Sequence, residues 1–320
     1  MCFMKVRIGV DLMGGDHSPL VIWEVLVDVL NSCKVSPTFT FIAFASSEVR
    51  EEILKDGTLS DGYPEIIVSE SVIAMEDSPL TAIRKKSSSM ALGLDCLSEG
   101  QLDAFISSGN TGALITLSRA KIPAFPKVTR PALLVHVPTM RGKAAILDVG
   151  ANIHVKPEEM IDFARMGIAY RQCLGKIEQP KVGLLNIGSE ERKGTESHRQ
   201  TFRMLREVFQ DAFVGNIESG DIFNGVVDVV VTDGFTGNVF LKTAEGVFDF
   251  LRHLSGNKIE TMIKDQLGDI IYPGSMVCGL SKLVIKCHGK ASTSSLFHCI
   301  LGSIDLAQAR VCSQILSSLV

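Results

Sequence analysis

Five short segments of the sequence share one composition: an apolar run gives way to Gly, Asn, Ser, Asp or Thr and then to a helix-forming stretch. Val10-Asp11 leads into Met13-Gly14-Gly15-Asp16-His17, and Ile106-Ser107 into Ser108-Gly109-Asn110-Thr111-Gly112. Leu147-Asp148 leads into Gly150-Ala151-Asn152, Leu185-Asn186 into Gly188-Ser189-Glu190-Glu191, and Val231-Thr232 into Asp233-Gly234-Phe235-Thr236-Gly237-Asn238. Free backbone N–H groups at a helix start, with the helix dipole behind them, bind anions. Gly14, Gly15, Asp16, Ser108, Asn110, Thr111, Asn152, Ser189, Thr236 and Gly237 are therefore the candidate phosphate- or substrate-binding residues. The same residue types cap helices and turn chains, so a single such turn proves little. Their recurrence at five strand ends carries the argument.

Three side chains are candidates for the chemistry itself. Lys193 stands beside Gly194 in the charged loop 188–194, just before a helix start at Thr195, where an ammonium would meet an incoming anion. Asn238, near the start of the next helix, can donate its amide to an oxyanion or a phosphate oxygen. His17 follows a strand end among small residues, where an imidazole serves as general base. Gly183 and Gly188 imitate the spacing of a P-loop, but Ser189 and Glu190 occupy the positions that need Lys and Ser or Thr, which excludes that nucleotide site. The sequence has no G-x-S-x-G elbow, and no G-x-G-x-x-G follows its first strand. With no activated Ser or Cys nucleophile in view, the chemistry that fits is one in which phosphate itself attacks.

Whole-chain numbers narrow the classes further. The 320 residues carry 36 acidic and 32 basic side chains, a formal charge of −4, and 6% aromatics. That balance argues against a nucleic-acid partner, which needs bulk positive charge or stacking platforms. The eight cysteines include no C-x-x-C pair and the seven histidines no H-x-x-x-H or H-E-x-x-H pair. They read as small buried residues of a reducing compartment, and no metal site is expected. Asp11, Asp16, Asp148 and Asp233 fall at strand ends without the spacing of a cation cage, which assigns them orienting roles. No apolar run reaches the ~18 residues of a membrane span. The N-terminus MCFMKVRIGVD lacks the apolar core of a signal peptide, so a cytoplasmic protein is expected, at most touching a membrane surface.

Those turns must be positioned by a sheet. Apolar, β-branched runs predict strands over 5–11, 38–45, 66–69, 104–107, 132–137, 144–148, 181–186, 226–232 and 282–287. Helical spacing predicts helices over 22–31, 79–99, 111–119, 157–174, 195–209, 238–254, 259–267 and 293–316. Alternation of the two indicates βαβ units and a mainly parallel sheet, whose carboxyl-end turns gather along one edge. Neither a composition break nor a repeat divides the chain, so one α/β domain over 1–320 is expected. Phe248, Leu251, Leu254, Ile259, Met262, Ile263, Leu267, Ile270 and Ile271 recur at helical spacing around a break at Gly256-Asn257. This predicts an amphipathic helical hairpin near 246–272, serving as dimer contact or core, with reversible membrane contact as the alternative.

Several long motifs resemble one known family. DLMGGDHSP at 11–19, SGNTGA at 108–113, RPALLVHVPT at 130–139, LDVGAN at 147–152, LLNIGSEERKGTE at 184–196 and GNIESGDIFNGVVDVVVTDGFTGNVFLK at 215–242 are similar to the phosphate acyltransferase family called PlsX. The resemblance implies a Rossmann-like three-layer α/β/α sandwich, related to phosphotransacetylase and to the isocitrate and isopropylmalate dehydrogenases. It implies a homodimer with no metal or nucleotide cofactor. The implied reaction moves a fatty acyl group from acyl–acyl carrier protein to inorganic phosphate, and a downstream acylglycerol-phosphate acyltransferase consumes the acyl phosphate in phospholipid synthesis. An acidic carrier protein calls for a basic docking patch, for which Arg84-Lys85-Lys86 and the group Arg119, Lys121, Lys127 and Arg130 are candidates. The sequence departs from the family at Cys278-Gly279-Leu280-Ser281-Lys282 and at His288-Gly289-Lys290-Ala291-Ser292.

Overall fold

Runs of β-branched and aromatic residues too short for helices form strands, and burial along nearly their whole length marks sheets covered on both faces. The computed structural model describes residues 5–32, 38–55, 63–255 and 274–319. Its strands are β1 (Val6–Asp11), β2 (Phe39–Ser46), β3 (Glu65–Ser69), β4 (Ala104–Ser107), β5 (Ala132–Thr139), β6 (Gly142–Leu147), β7 (Val182–Leu185), β8 (Phe213–Ile217), β9 (Val229–Val231), β10 (Gly274–Cys278) and β11 (Leu283–Cys287). The helices are α1 (Pro19–Ser32), α2 (Ser47–Lys55), α3 (Pro79–Arg84), α4 (Ser89–Ser98), α5 (Thr111–Lys121), α6 (Pro157–Gly175), α7 (Glu196–Phe209), α8 (Ser219–Asn224) and α9 (Gly234–Ser255), followed by Thr293–Gln308 and Val311–Leu319. The result is a mixed α/β fold.

The chain divides into two units, one of Met1–Phe125 with Tyr272–Ser313 and one of Pro126–Ile271 with Gln314–Val320. In the first, the strand order is β3-β2-β1-β4-β11-β10. All neighbours there run parallel except the β10–β11 pair. Asp11 pairs with Ser107 and Ser107 with Lys286, so β1, β4 and β11 end at one edge. In the second, the order is β5-β6-β9-β7-β8, parallel except for the β5–β6 hairpin. Leu147 and Leu184 both pair with Val231, which brings the turns after β6, β7 and β9 to one edge.

Four differences from the sequence reading have local causes. The expected helix over 79–99 is two: Lys85 leaves the helical region and Ser88 caps α4, its hydroxyl accepting from the Ala91 N–H at 3.3 Å. The helix expected over 293–316 also divides, at Arg310, whose φ of 51° no helix continues. β8 and β10 escaped notice because Gly215-Asn216 and Gly274-Ser275 dilute their apolar runs. The amphipathic helix α2 escaped because it buries Ile53 alone. Of the expected hairpin near 246–272, α9 carries the first arm, and the rest, including the helix over 259–267, lies outside the described residues. No helix among the described residues is long and apolar enough to cross a membrane.

Candidate active site

In the second unit, Asp148 organises the edge. Its carboxylate is fully buried and accepts five N–H donors. Oδ1 takes the backbone N–H groups of Leu133 (2.9 Å), Gly150 (3.2 Å) and Ala151 (3.0 Å). Oδ2 takes the Asn152 backbone N–H (2.7 Å) and the Asn152 side-chain amide (2.9 Å). Burial pushes this carboxyl above the usual range, and the N–H donors pull it back. Asn152 also donates to the Pro131 carbonyl at 2.9 Å and accepts the Gly234 N–H at 2.8 Å on its own carbonyl, which ties the start of α9 to this turn. The approach demands glycine. A Cβ on Gly237 would lie 1.9 Å from the Asp148 carbonyl oxygen, and one on Gly234 2.6 Å from that of Asn152. Asp233 caps α9, accepting from the Thr236 N–H (2.8 Å) and hydroxyl (2.9 Å). One turn further on, the exposed Asn238 side chain lies over Gly150 and makes no hydrogen bond among the described residues.

The charged loop after β7 is closed from behind. Asn186 accepts the Ile187 N–H at 2.8 Å and donates to the Lys193 carbonyl at 3.2 Å, while Asn216 donates to the Glu190 carbonyl at 2.9 Å. Gly194 has φ +83°, and any side chain there would strike Asn186. The Lys193 stem folds over Gly188, and its Nζ, half-exposed, has the exposed Glu190 carboxylate 3.7 Å away. Ser189 is exposed at the loop tip. Thr195 caps α7, its hydroxyl 2.7 Å from His198 Nδ1. Partial burial lowers the His198 pKa against the pull of Asp233.

The first unit builds its edge from side chains. Asp11 is buried, and its carboxylate accepts the Ser107 hydroxyl at 2.7 Å and the Met13 N–H at 3.1 Å. Burial raises this carboxyl above its ordinary value, opposed by Ser89, Ser107, the Met13 N–H and the charge of Lys286. Lys286, 8% exposed, donates to the Ser108 carbonyl at 3.2 Å and to that of Cys287. Gly15 has φ +92° and passes so near Ser108 that a Cβ would meet it at 2.9 Å; Gly14 is packed on Gly109. The Asp16 N–H donates to the Gly289 carbonyl at 3.1 Å, and His17 Nε2 bonds to the Ala291 carbonyl, so the first turn is latched to the turn after β11. Asn110 caps α5 through the Ala113 N–H (3.0 Å) and spends its amide hydrogens on the carbonyls of Met75 (2.7 Å) and Asp77 (2.9 Å). Thr111 opens α5, half-buried.

The profile of the family described as "Fatty acid synthesis protein" matches residues 6–314. The chain belongs to that family. A phosphate acyltransferase of Chlamydia caviae is 73% identical over 316 residues, spanning 99% of this chain and 100% of the relative. The phosphate acyltransferase of Chlamydia trachomatis serovar L2 is 62% identical over 314 residues, 98% of this chain and 97% of the relative. The chain is an acyltransferase of this family. Two solved structures share the fold: a branched-chain phosphotransacylase from Enterococcus faecalis V583 (TM-score 0.63, 16% identity, 95% of this chain and 99% of that one) and a phosphotransacetylase from Streptococcus pyogenes (TM-score 0.61, 16% identity, 96% and 95%).

Within this family member, the sequence-predicted residues fall into two groups. Asn152, Ser189, Lys193, Thr236, Gly237 and Asn238 belong to the second unit's edge, whereas Gly14, Gly15, Asp16, His17, Ser108, Asn110 and Thr111 belong to the first. Two participants were missed, Lys286 and His198, and the orienting role expected of Asp148 gave no sign of how many donors surround it. Lys286 was legible as a lone charge inside the otherwise apolar run Leu283-Val284-Ile285-Lys286-Cys287. His198 and the five-donor seat of Asp148 depend on pairings across the fold and left no local mark. Among the described residues, no group of three or more His, Cys, Asp or Glu side chains is placed to hold a metal ion.

Proposed function

We propose that the chain transfers a fatty acyl group from acyl–acyl carrier protein to inorganic phosphate by direct attack. A phosphate oxygen bonds to the thioester carbonyl carbon, the carbon–sulfur bond breaks, and the carrier leaves as a thiolate, a group good enough to need no strong acid. Lys193, Ser189 and the backbone N–H groups of the glycine-rich turns, among them those at Gly14, Gly15 and Ser108, hold the anions, while Asn152, Thr236 and Gly237, whose donors are spent on Pro131, Asp148 and Asp233, shape the second unit's edge around them. Asn238 donates to the tetrahedral oxyanion, a contact typically worth ~2.7–4 kcal/mol in the transition state. Holding both reactants together supplies about 7–11 kcal/mol more. His17, its Nε2 held by the Ala291 carbonyl, keeps Nδ1 as the basic nitrogen for a phosphate proton. Asn110, Thr111 and Asp16 set the backbone around the first unit's turns. The step uses no metal or nucleotide cofactor.

The observation that supports this most is the presence, on one sheet edge, of both a half-exposed Lys193 and an Asn238 amide that no described residue engages. Lys193→Ala should lower turnover and weaken phosphate saturation together in an assay of phosphate-dependent thiol release; wild-type values for both would overturn the assignment. Comparing acyl-carrier protein with acetyl-CoA as donor separates this reading from a phosphotransacetylase, the alternative that the shared fold favours.

Other parts of the reading extend this one. We read the fold as a Rossmann-like, isocitrate dehydrogenase-like sandwich, and the enzyme as a cytoplasmic homodimer that delivers acyl phosphate to a membrane acyltransferase. Val247, Phe250, Leu251 and Leu254 are exposed on α9, which supports a dimer contact or peripheral membrane contact there. For the carrier, Lys85 is bound to Asp77 at 2.6 Å, Lys121 to Asp95 at 2.5 Å and Arg130 to Glu159 at 2.9 Å. Arg84, Lys86, Arg119 and Lys127 remain exposed for docking. Charge reversal at Arg84 and Lys86 should slow carrier-bound substrate at low salt and spare short acyl-CoA.

A further inference from the structure

Cys287 closes β11, and Cys299 lies in the second turn of the helix Thr293–Gln308; both are buried thiols of the first unit. A glycine lets their sulfurs meet. Gly274 of β10 stands directly opposite Cys287 across the antiparallel pair, so the two project to the same face of the sheet. A Cβ on Gly274 would lie 2.7 Å from Cys299 Sγ. The Cys299 sulfur thus fills the space that a side chain at 274 would take, beside its cross-strand neighbour. There its S–H donates a hydrogen bond to the Cys287 sulfur.

The two thiols are unequal. The Cys299 S–H, the Lys286 charge, the Ser108 hydroxyl and the His288 N–H draw the Cys287 thiol below its ordinary value, against the cost of burial. The hydrogen bond that Cys299 donates, together with its burial, holds that thiol well above it. One sulfur is readied as a thiolate and the other keeps its proton, as in an attacking and a resolving cysteine. Cys278 and Cys312 are buried as well, and burial pushes both upward, Cys312 to about 12.

We propose that Cys287 and Cys299 are a modification site, a dithiol that a small peroxide closes to a disulfide. The Cys287 thiolate attacks one peroxide oxygen, the O–O bond breaks, and hydroxide leaves a sulfenic acid behind. The Cys299 sulfur then bonds to that of Cys287, and its proton departs with the sulfenic hydroxyl as water. The hydroxide and the proton that Cys287 gave up form the second water, so the two sulfurs are oxidised and the peroxide is reduced. The ring closed in this way contains the turn 288–291, whose Gly289 and Ala291 carbonyls latch Asp16 and His17. His288, Lys290 and residues 292–294 are exposed between the two cysteines, so a local opening there admits a molecule as small as hydrogen peroxide.

Trypsin cuts after Lys286, Lys290 and Arg310, which puts the two cysteines on separate peptides. Folded enzyme is treated with dilute hydrogen peroxide, alkylated in denaturant and digested. Peptide 287–290 should then appear joined to peptide 291–310, lighter than their sum by two hydrogens and released by reductant. Gly274→Ala, whose added Cβ displaces Cys299 Sγ, should slow the joining severalfold. Cys299→Ser, a near-isosteric change that guards against a misfolded variant, should stop at a sulfenic acid that a cyclic 1,3-diketone traps on Cys287. Separate, fully alkylated peptides at a peroxide dose that oxidises the half-buried Cys96 or Cys173 would overturn the site, and so would equally fast joining in the urea-unfolded chain. Thiol release should fall in the joined enzyme and return on reduction, a consequence that rests on the function proposed above. Unchanged turnover with the peptides joined would overturn that consequence alone.

Discussion

Asp11 and Asp148 occupy equivalent places, each at the carboxyl end of a strand and each buried, but they are satisfied differently. Asp148 sits among four backbone N–H groups and one amide, so its partners are fixed by the course of the chain. Asp11 depends on serine hydroxyls, one backbone N–H and the charge of Lys286. A backbone seat anchors and admits no substitute, whereas a side-chain seat can reorient when its aspartate changes. The second unit's edge is thus the rigid one, and it holds Lys193 and Asn238. The first unit's edge is adjustable and latched by His17 and Asp16.

The contrast can be broken in four ways. The largest effect is expected for Asp148→Ala, which strands several buried N–H donors and should cost about 3 kcal/mol or more by chemical denaturation. Gly237→Ala follows, because the obstructing atom is the Asp148 backbone carbonyl, which cannot swing away. Its α9 start should move, with thiol release falling further than the denaturation midpoint. Asp11→Asn should be milder, since the Ser107 hydroxyl can reverse its hydrogen bond, and its signature is pH dependence. Burial holds the folded Asp11 carboxyl above its ordinary 3.8, so the folded chain keeps this proton after the unfolded chain has lost it. Across that window stability falls as pH rises, by at most about 1.4 kcal/mol per pH unit for one proton. Unfolding measured from mildly acidic to neutral pH should show a smaller decline in Asp11→Asn. The smallest effect is Gly289→Ala, whose Cβ would meet Asp16 Oδ2 at 3.5 Å, an ordinary contact, and leave stability and turnover near wild type. A Gly289→Ala loss as large as that of Gly237→Ala would erase the distinction between the two edges.

Much of this was legible because turn chemistry is local. Glycine, asparagine and aspartate after apolar runs marked the strand ends that the fold brings to its edges. What each turn residue does there was less legible. Asn110 reads as an anion binder or a cap, and its amide proves committed to Met75 and Asp77, more than thirty residues away. The glycine at 237 reads as conformational freedom, but its reason is the carbonyl of Asp148, eighty-nine positions earlier. The break at Lys85–Ser88 was hidden because a serine cap inside a basic run looks like a solvated helix face. The boundary near Phe125 carries no compositional mark, since both units repeat the same strand–helix pattern.

The account stands or falls on phosphate as the attacking group, with the polypeptide never acylated. The most direct measurement is the intact mass of the enzyme, quenched at intervals after mixing with acyl–acyl carrier protein, first without phosphate and then with it. The account predicts an unchanged mass throughout, with no stoichiometric release of carrier thiol until phosphate is added. An acyl adduct that forms without phosphate and decays at the turnover rate when phosphate arrives would contradict it.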